Sequence, residues 1–290
     1  MGRSKLHALA RSLTLMASVG APCLAHAADL LPPPPPPPMP APVDVGGGWY
    51  LRGDVGVGAA EFEKVSTNLG VTGAALPAGY TITDRHQDDQ FFAGAGVGYQ
   101  FNSFLRGDIT GEYRGGGNLH YVERFPLNGG TGIDTNTGKF RSIVTMANGY
   151  IDLGTWWCLT PYIGGGVGAA FNQISSYQDV GAGTAAGGFG TALSKNTTSF
   201  AWAAQAGVTY DVTPNFKVDV GYRYLNMGHA KTGPVTCVND PTCSVATYKV
   251  SELTSHDVKI GLRYLIGGVA AAPLPSLAPA YEPGPLVRKY

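Results

Sequence analysis

Eight segments of this chain alternate apolar residues with small or polar ones, and no other feature constrains the fold as strongly. In one segment, Phe91, Ala93, Ala95, Val97, Tyr99 and Phe101 alternate with Gly94, Gly96, Gly98 and Gln100. A period of two indicates β-strands whose two faces meet different surroundings. The segments begin at Trp49, Phe91, Leu105, Ile143, Ile163, Phe200, Phe216 and Val258. The sequence therefore predicts an all-β protein built from eight strands.

The connections between these segments alternate in length. Those at 101–104, 154–159 and 211–215 are tight, whereas those at 59–89, 115–139, 172–197 and 226–253 are long and rich in Gly, Thr, Asn and Asp. An even number of strands of about ten residues, with short turns at one end only, is typical of transmembrane β-barrels. We therefore predict an eight-stranded antiparallel up-and-down transmembrane barrel over residues 48–266. The short turns and the N-terminus would face the periplasm, and four mobile loops would face outward.

Charged residues indicate which face of the strands meets lipid. The polar positions carry glycine in almost every strand, together with ten residues that we predict to form a charge network in the lumen: Arg52, Asp54, Arg106, Asp108, Glu112, Arg114, Asp219, Arg223, Lys259 and Arg263. A soluble barrel of the lipocalin kind would instead hold its apolar residues inside. The narrow lumen of an eight-stranded barrel needs small residues, and Trp and Tyr at the ends of the apolar face match interfacial girdles. We therefore predict that the apolar face lies in lipid.

The predicted lumen is balanced in charge. It gains four further charged residues: Lys217, Asp152, Asp211 and Asp257. Isolated charges away from bulk water cost on the order of several kcal/mol, so the opposite charges should pair. We predict a salt-bridged plug in which Arg106 pairs with Asp54 or Asp108. The balanced charges argue against a wide pore, whereas a narrow pore remains an alternative.

The two ends of the chain do not read as parts of the barrel. Residues 1–27 have a basic start, an apolar stretch and the small-x-small site Ala25-His26-Ala27, which predicts a secretory signal peptide. Residues 28–47 contain an unbroken proline run, which predicts a stiff polyproline II spacer in the periplasm. Residues 267–290 are rich in Pro and Ala and predict a flexible tail.

Composition excludes several other classes of protein. The 290 residues include 20 Lys+Arg and 20 Asp+Glu, which leaves no basic surface for nucleic acid. The chain has no run of 18 or more apolar residues, so it offers no helical membrane span. Its apolar and aromatic content is too high for a disordered chain.

Several motifs carry a family resemblance. They are Asp29-Leu30, Gly48-Trp49-Tyr50-Leu51-Arg52-Gly53, Gly94-Ala95-Gly96-Val97-Gly98-Tyr99, Pro161-Tyr162-Ile163-Gly164-Gly165-Gly166-Val167-Gly168 and Val258-Lys259-Ile260-Gly261-Leu262-Arg263-Tyr264. With these motifs the chain resembles the alphaproteobacterial opacity-type outer-membrane proteins, eight-stranded relatives of the OmpA barrel. The resemblance implies an abundant envelope or surface protein of a Gram-negative outer membrane, with a porin-family label. The chain departs from that family in continuing past Tyr264.

Three cysteines follow the predicted signal peptide. Cys237 and Cys243 lie six residues apart in the last outward connection. We predict a disulfide between them, because exported proteins meet an oxidising compartment. Cys158 lies in a short turn at the opposite end of the barrel, so it cannot join them. We expect it to be a free, partly buried thiol.

The histidines of the mature chain are all predicted to lie near the outer rim: His86, His120, His229 and His256. Ser255 precedes His256, and Asp88 and Asp89 follow His86, so a hydrolytic pair can be drawn at the rim. Such neighbours arise easily by chance. We therefore predict no catalytic residue, no metal and no cofactor.

The predicted role is that of a non-enzymatic structural or surface protein. The barrel would anchor outward loops for envelope integrity or surface interaction, because recognition normally resides on loops held by a rigid scaffold. A narrow porin for small solutes and a lipid-modifying rim hydrolase are the alternatives. Expected partners are outer-membrane lipids and lipopolysaccharide, the barrel-assembly machinery, and peptidoglycan or a host surface, with no nucleic acid.

Overall fold

A computed structural model describes residues 47–68, 76, 78–238 and 246–266. The predicted signal peptide, the proline run, the C-terminal tail and Cys243 lie outside these residues. No helix in the described part of the chain is long and apolar enough to cross a bilayer.

The described residues form twelve strands, each antiparallel to its neighbours. They are β1 (Gly48–Thr67), β2 (Thr81–Gln87), β3 (Gln90–Gln100), β4 (Leu105–Leu127), β5 (Gly130–Asp152), β6 (Leu159–Gly183), β7 (Phe189–Ala192), β8 (Lys195–Asp211), β9 (Phe216–Asn226), β10 (His229–Lys231), β11 (Val235–Cys237) and β12 (Tyr248–Ile266). Eight of them close a barrel in the order β1, β3, β4, β5, β6, β8, β9, β12. β12 returns to β1 with Trp49 opposite Ile266, and β6 meets β8 with Leu159 opposite Tyr210. The predicted eight-stranded barrel is confirmed.

An apolar band surrounds the barrel on its outer face. Phe91 is 74% exposed and Val220 is 52% exposed, and Trp202 also points outward. Their strand neighbours Phe92 and Asp219 are buried. Because a closed barrel pairs its strand backbone internally, such a band can face hydrocarbon without unpaired polar groups.

The strands continue well beyond the apolar band at the end opposite the short turns. β4 and β5 form one hairpin that turns between Leu127 and Gly130, and β6 runs on to Gly183. Short strands pair with the continued barrel strands: β2 with β4, β7 with β6 and β10 with β12, while β11 pairs with β7. The prediction of loops is therefore wrong for much of these connections. We call this part the extension; it comprises residues 59–68, 78–89, 115–140, 172–198, 227–238 and 246–254.

Strand bulges at the base of the extension change which residues point inward. The β4–β5 register shifts between Arg114 and Gly117, and the β5–β6 register shifts between Thr137 and Lys139. Arg114 is buried before the first bulge, whereas Leu119 is buried after it. A bulge adds one residue to one strand, so the inward positions move from even to odd numbers. The alternation read from the sequence stops at these points for that reason.

The extension keeps its strand structure because it has an apolar core. Buried side chains from six of the barrel strands and from the β9–β10 connection meet there and at its base: Phe62, Leu119, Tyr121, Phe140, Ile174, Tyr177, Leu225, Met227, Val250 and Leu253. Burial of large apolar side chains is the main favourable term in folding, at about 1.5–3 kcal/mol for each. Most of this core therefore lies in the extension, and it reaches down into the barrel lumen at Val144, Met146, Ala201 and Ala203.

Candidate functional site

The outermost layer of the lumenal charges lies next to the extension. Arg114 donates two hydrogen bonds to Asp257, at 2.7 and 2.9 Å, and Arg223 donates two to the same carboxylate, at 2.7 and 2.9 Å. Both arginines also reach Glu112, at 3.0 and 2.9 Å. The ring of Phe92 lies 4.7 and 5.0 Å from the two guanidinium carbons. Charge-assisted bonds of this kind are stronger than neutral ones, so this layer is firmly held.

The middle layer is organised by Arg52. Its guanidinium donates to both carboxylate oxygens of Asp54, at 2.7 and 2.8 Å, and to Asp108 at 2.6 Å. Lys259 lies 3.8 Å from Asp54 and donates to Gln205 at 2.9 Å. Each charge in this layer therefore has an opposite charge or a polar partner.

Arg106 lies in the layer nearest the short turns and bonds to Asp152 at 3.1 Å. The predicted pairing of Arg106 with Asp54 or Asp108 is wrong. Arg52 occupies both of those carboxylates, and the β4–β5 register brings Asp152 diagonally opposite Arg106. Diagonal neighbours on paired strands lie within reach of long side chains.

Two further ion pairs complete this end of the barrel. Arg263 lies 3.3 Å from Asp219, and both side chains are buried. Lys217 and Asp211 pair at 2.5 Å beside a short turn, where both are partly exposed. The second pair therefore borders the lumen without being enclosed by it.

The lumen is filled by these side chains. All ten residues of the predicted network are at most 8% exposed. A methyl group added at Gly58 would overlap Asp257 and Arg114, and one added at Gly98 would overlap Tyr50. The cavity that borders Asp54, Glu112 and Lys259 measures about 10 Å³, which is room for roughly one water molecule. Glycine on the lumenal face thus makes space for guanidinium groups and rings.

Three carboxylates inside the extension form a second charged cluster that the sequence reasoning missed. Glu123 stands directly opposite Asp134 in the β4–β5 hairpin, and Asp179 follows on β6. Burial, reinforced by the neighbouring carboxylates, raises the pKa of Glu123 to about 8 and that of Asp179 to about 7. Asp134 and Asp179 also border a cavity of about 460 Å³. Leu119, Tyr121 and Glu123 do alternate with other residues in the sequence, as inward positions of a strand should. After the bulge the inward positions are odd-numbered, so this alternation does not continue the pattern of the barrel strand.

The histidine pairs drawn from the sequence do not make one site. Ser255 is fully buried in the lumen, whereas His256 points outward and contacts the Tyr222 hydroxyl at 2.5 Å. Successive residues of a strand face opposite sides, so Ser255 and His256 do not form the hydrolytic pair that their positions in the sequence allow. His86 does lie 3.3 Å from Asp88, on the surface of the extension. Among the described residues, no group of three or more His, Cys, Asp or Glu side chains is arranged to hold a metal ion.

The two cysteines in the described part of the chain, Cys158 and Cys237, lie at opposite ends of the barrel. Cys158 is a free thiol in a short turn and is exposed, so the expectation that it is partly buried is wrong. Cys158 lies within the tight turn closed by the Trp156–Leu159 bridge, where none of the described strands covers the thiol. Cys237 pairs with Gly190 through β11 and β7 in the extension. Its disulfide with Cys243 stays a prediction, because Cys243 lies outside the described residues.

Comparison with known proteins agrees with this architecture. The family model for the outer membrane protein beta-barrel domain matches residues 37–264. An uncharacterized protein of Brucella suis is 33% identical over 194 residues, covering 62% of this chain and 68% of the relative. A protein of Rickettsia prowazekii, provisionally named an adhesin, is 26% identical over 219 residues, covering 74% of this chain and 86% of the relative.

Among solved structures, the crystal structure of Neisserial surface protein A is similar to this chain. The two align with a TM-score of 0.43 and 17% identity, over 76% of this chain and 99% of the other. The family match covers most of the chain and spans every strand of the barrel. The chain therefore belongs to the outer membrane protein beta-barrel domain family, and it resides in the outer membrane of a Gram-negative bacterium.

Proposed function

We propose that this outer-membrane protein is a non-enzymatic surface protein whose extension presents a recognition surface outside the cell. The observation that carries the proposal is the extension itself, in which strands and an apolar core continue past the membrane band. A rigid scaffold holds a binding surface with little loss of conformational entropy on binding. The barrel then serves as the anchor.

The filled lumen supports an anchoring role over transport. The paired layers around Arg114, Arg52 and Arg106 occupy the bore between the extension and the short turns. Moving a solute through would require breaking buried ion pairs, and each broken pair costs about 3–5 kcal/mol.

One arm of the extension offers a candidate contact surface. β7 joins β6 to β11, and apolar side chains next to these strands are left in water. Leu193 is 85% exposed and Val238 is 61% exposed, and Val180 is also exposed. Val180 and Val238 flank Phe189 at one end of β7, and Leu193 follows the other end of that strand. Exposed apolar groups along one surface are typical of interaction sites. The provisional name of the Rickettsia relative is in keeping with adhesion.

Adhesion of whole cells tests the proposal. The chain is expressed in a non-adherent Gram-negative strain, and attachment to epithelial cells and to matrix-coated surfaces is counted. We expect the protein to confer attachment and the double variant Leu193→Asp, Val238→Asp to lose most of it. Val212→Asp is the matched control, because Val212 is exposed in a short turn at the periplasmic end. Attachment no better than that of the empty strain, with the protein folded at the surface, would overturn the proposal.

The two alternative functions have tests of their own. Reconstitution in planar bilayers should show no steady openings; openings that disappear in Arg52→Ala or Asp108→Ala would favour a narrow porin. Mass spectra of lipid A from expressing cells should be unchanged. Hydrolysis that is lost in His256→Ala would favour a rim enzyme.

A further inference from the structure

A groove of about 340 Å³ lies on the outer wall of the barrel where the apolar band ends and the extension begins. Its lower wall is a cross-strand row of apolar side chains, with Tyr113 opposite Ile143 and Ile143 opposite Phe171. All three are exposed and point away from the lumen. The volume is in the range of pockets that hold small ligands.

The upper wall of the groove is polar and carries one positive charge. Arg141 stands opposite Gln173, which stands opposite Asn196, in the row directly above the apolar one. Arg141 donates through Nε to Gln173 Oε1, and the Gln173 amide donates to Asn196 Oδ1 at 2.6 Å. This chain of bonds orients the guanidinium and engages only its Nε. In the described part of the chain, its two terminal amino groups have no hydrogen-bond partner.

At the level of the groove, the charged residues on the outer wall differ between the two sides of the barrel. The side with the groove carries Lys139 on the outward face of β5, two residues from Arg141. The opposite side, on β1 and β12, carries Glu61, Glu63 and Glu252 beside Lys64 and Lys249, and Lys64 pairs with Glu252, so that side has no excess of positive charge. The groove therefore lies on the side of the wall that attracts anions.

We propose that this groove binds lipid A, the phosphorylated and acylated glucosamine lipid of the outer leaflet. The groove faces that leaflet because it lies at the end of the membrane band next to the extension. A phosphate at the level of Arg141 would accept hydrogen bonds from its terminal amino groups, since guanidinium forks match phosphate geometry. An acyl chain would then lie along Phe171, Ile143 and Tyr113 in the row below.

Binding of defined lipids to the full-length folded protein in detergent tests this proposal. The probes are lipid A with both phosphates, lipid A with the phosphates removed, and phosphatidylglycerol. We expect Arg141→Gln to weaken binding of phosphorylated lipid A about tenfold, as expected for loss of a hydrogen bond to a charged group. Binding of dephosphorylated lipid A should be weaker in the wild type and unchanged by this substitution.

The matched control is Arg124→Gln, which removes the same charge from an exposed position on β4 further from the membrane. It should bind phosphorylated lipid A like the wild type. A second variant, Phe171→Asn, removes part of the apolar row and should weaken binding of both forms of lipid A. The gel shift between folded and heat-denatured protein establishes that each variant is folded. Wild-type affinity in Arg141→Gln, or binding of phosphatidylglycerol as tight as that of lipid A, would overturn the proposal.

Discussion

Arg114 and Asp257 stand 143 residues apart in the sequence, yet they share two hydrogen bonds of 2.7 and 2.9 Å across the lumen. β4 and β12 are not neighbours in the barrel, because β3 and β1 lie between them. The pair therefore bridges the lumen and ties together strands that share no backbone hydrogen bonds. Asp257 also holds Arg223, so one carboxylate neutralises two buried guanidinium groups.

Loss of that carboxylate should destabilise the barrel strongly. Asp257→Ala leaves Arg114 and Arg223 with only Glu112 as an acidic partner. We expect the free energy of unfolding to fall by about 3–5 kcal/mol, the usual cost of breaking a buried ion pair from one side. Urea unfolding of protein folded in lipid vesicles, followed by tryptophan fluorescence, measures the change.

The control for this prediction is an ion pair that stays in contact with water. Asp211→Ala removes the partner of Lys217 beside a short turn, where both side chains are partly exposed. Exposed pairs contribute about 1 kcal/mol or less. Equal losses in Asp211→Ala and Asp257→Ala would mean that the lumen is far wetter than the structure indicates.

A charge placed on the apolar band should be costly only where lipid surrounds it. Val220 lies opposite Ile260 in the β9–β12 pair, with both side chains on the outer face. Val220→Arg or Ile260→Arg is expected to cost about 2–4 kcal/mol near the bilayer midplane. Val180→Arg, on the exposed face of the extension, should change stability by about 0.5 kcal/mol or less. Similar effects at all three positions in the same unfolding assay would argue against a lipid-facing band.

The carboxylate cluster should make the extension less stable as the pH rises. Burial raises the pKa of Glu123 from 4.5 to about 8 and that of Asp179 from 3.8 to about 7. The folded state therefore binds more protons than the unfolded state between about pH 4 and pH 8, and folding weakens as the pH rises through that window. Asp134 faces the same space, together with the hydroxyls of Tyr80, Tyr177 and Tyr248.

Hydrogen exchange of the β4–β5 hairpin measures this pH effect. After correction for the intrinsic exchange rate, local opening should be at least about tenfold more frequent at pH 8.5 than at pH 5.5, since one pKa unit corresponds to a factor of ten. The double variant Glu123→Gln, Asp179→Asn should flatten the dependence. A wild-type hairpin with equal protection at both pH values would show that these carboxyls titrate normally.

Cys158 provides a test of topology. Cys158 has an exposed thiol. If the short turns face the periplasm, as we predict from the sequence, this thiol should react with a membrane-impermeant maleimide only after the outer membrane is permeabilised. The matched variant carries Cys158→Ser with Thr184→Cys, which moves the thiol to an exposed turn of the extension. That variant should be labelled on intact cells. Labelling of Cys158 but not of the Thr184→Cys thiol on intact cells would show that the barrel has the opposite orientation in the membrane.

The β4 strand shows how far sequence reasoning reaches. From Leu105 to Arg114 the period-two pattern predicts both the strand and its lumenal side, and the structure has both. Beyond Arg114 the same reasoning predicts a loop, whereas the strand continues to Leu127. The bulge after Arg114 shifts the pairing register by an extra residue, which interrupts the period-two pattern. In the local sequence such an interruption looks the same as the end of a strand.

The sequence by itself determined that this chain forms an eight-stranded barrel with an apolar outer face, because the alternation of each strand is a local property. Only the tertiary structure decided which charges meet, since partners such as Arg106 and Asp152 come from strands whose relative register depends on closure of the whole sheet. Closure also decided that the long connections would continue as strands. Their inward side chains gain a core only when closure of the barrel brings distant strands together.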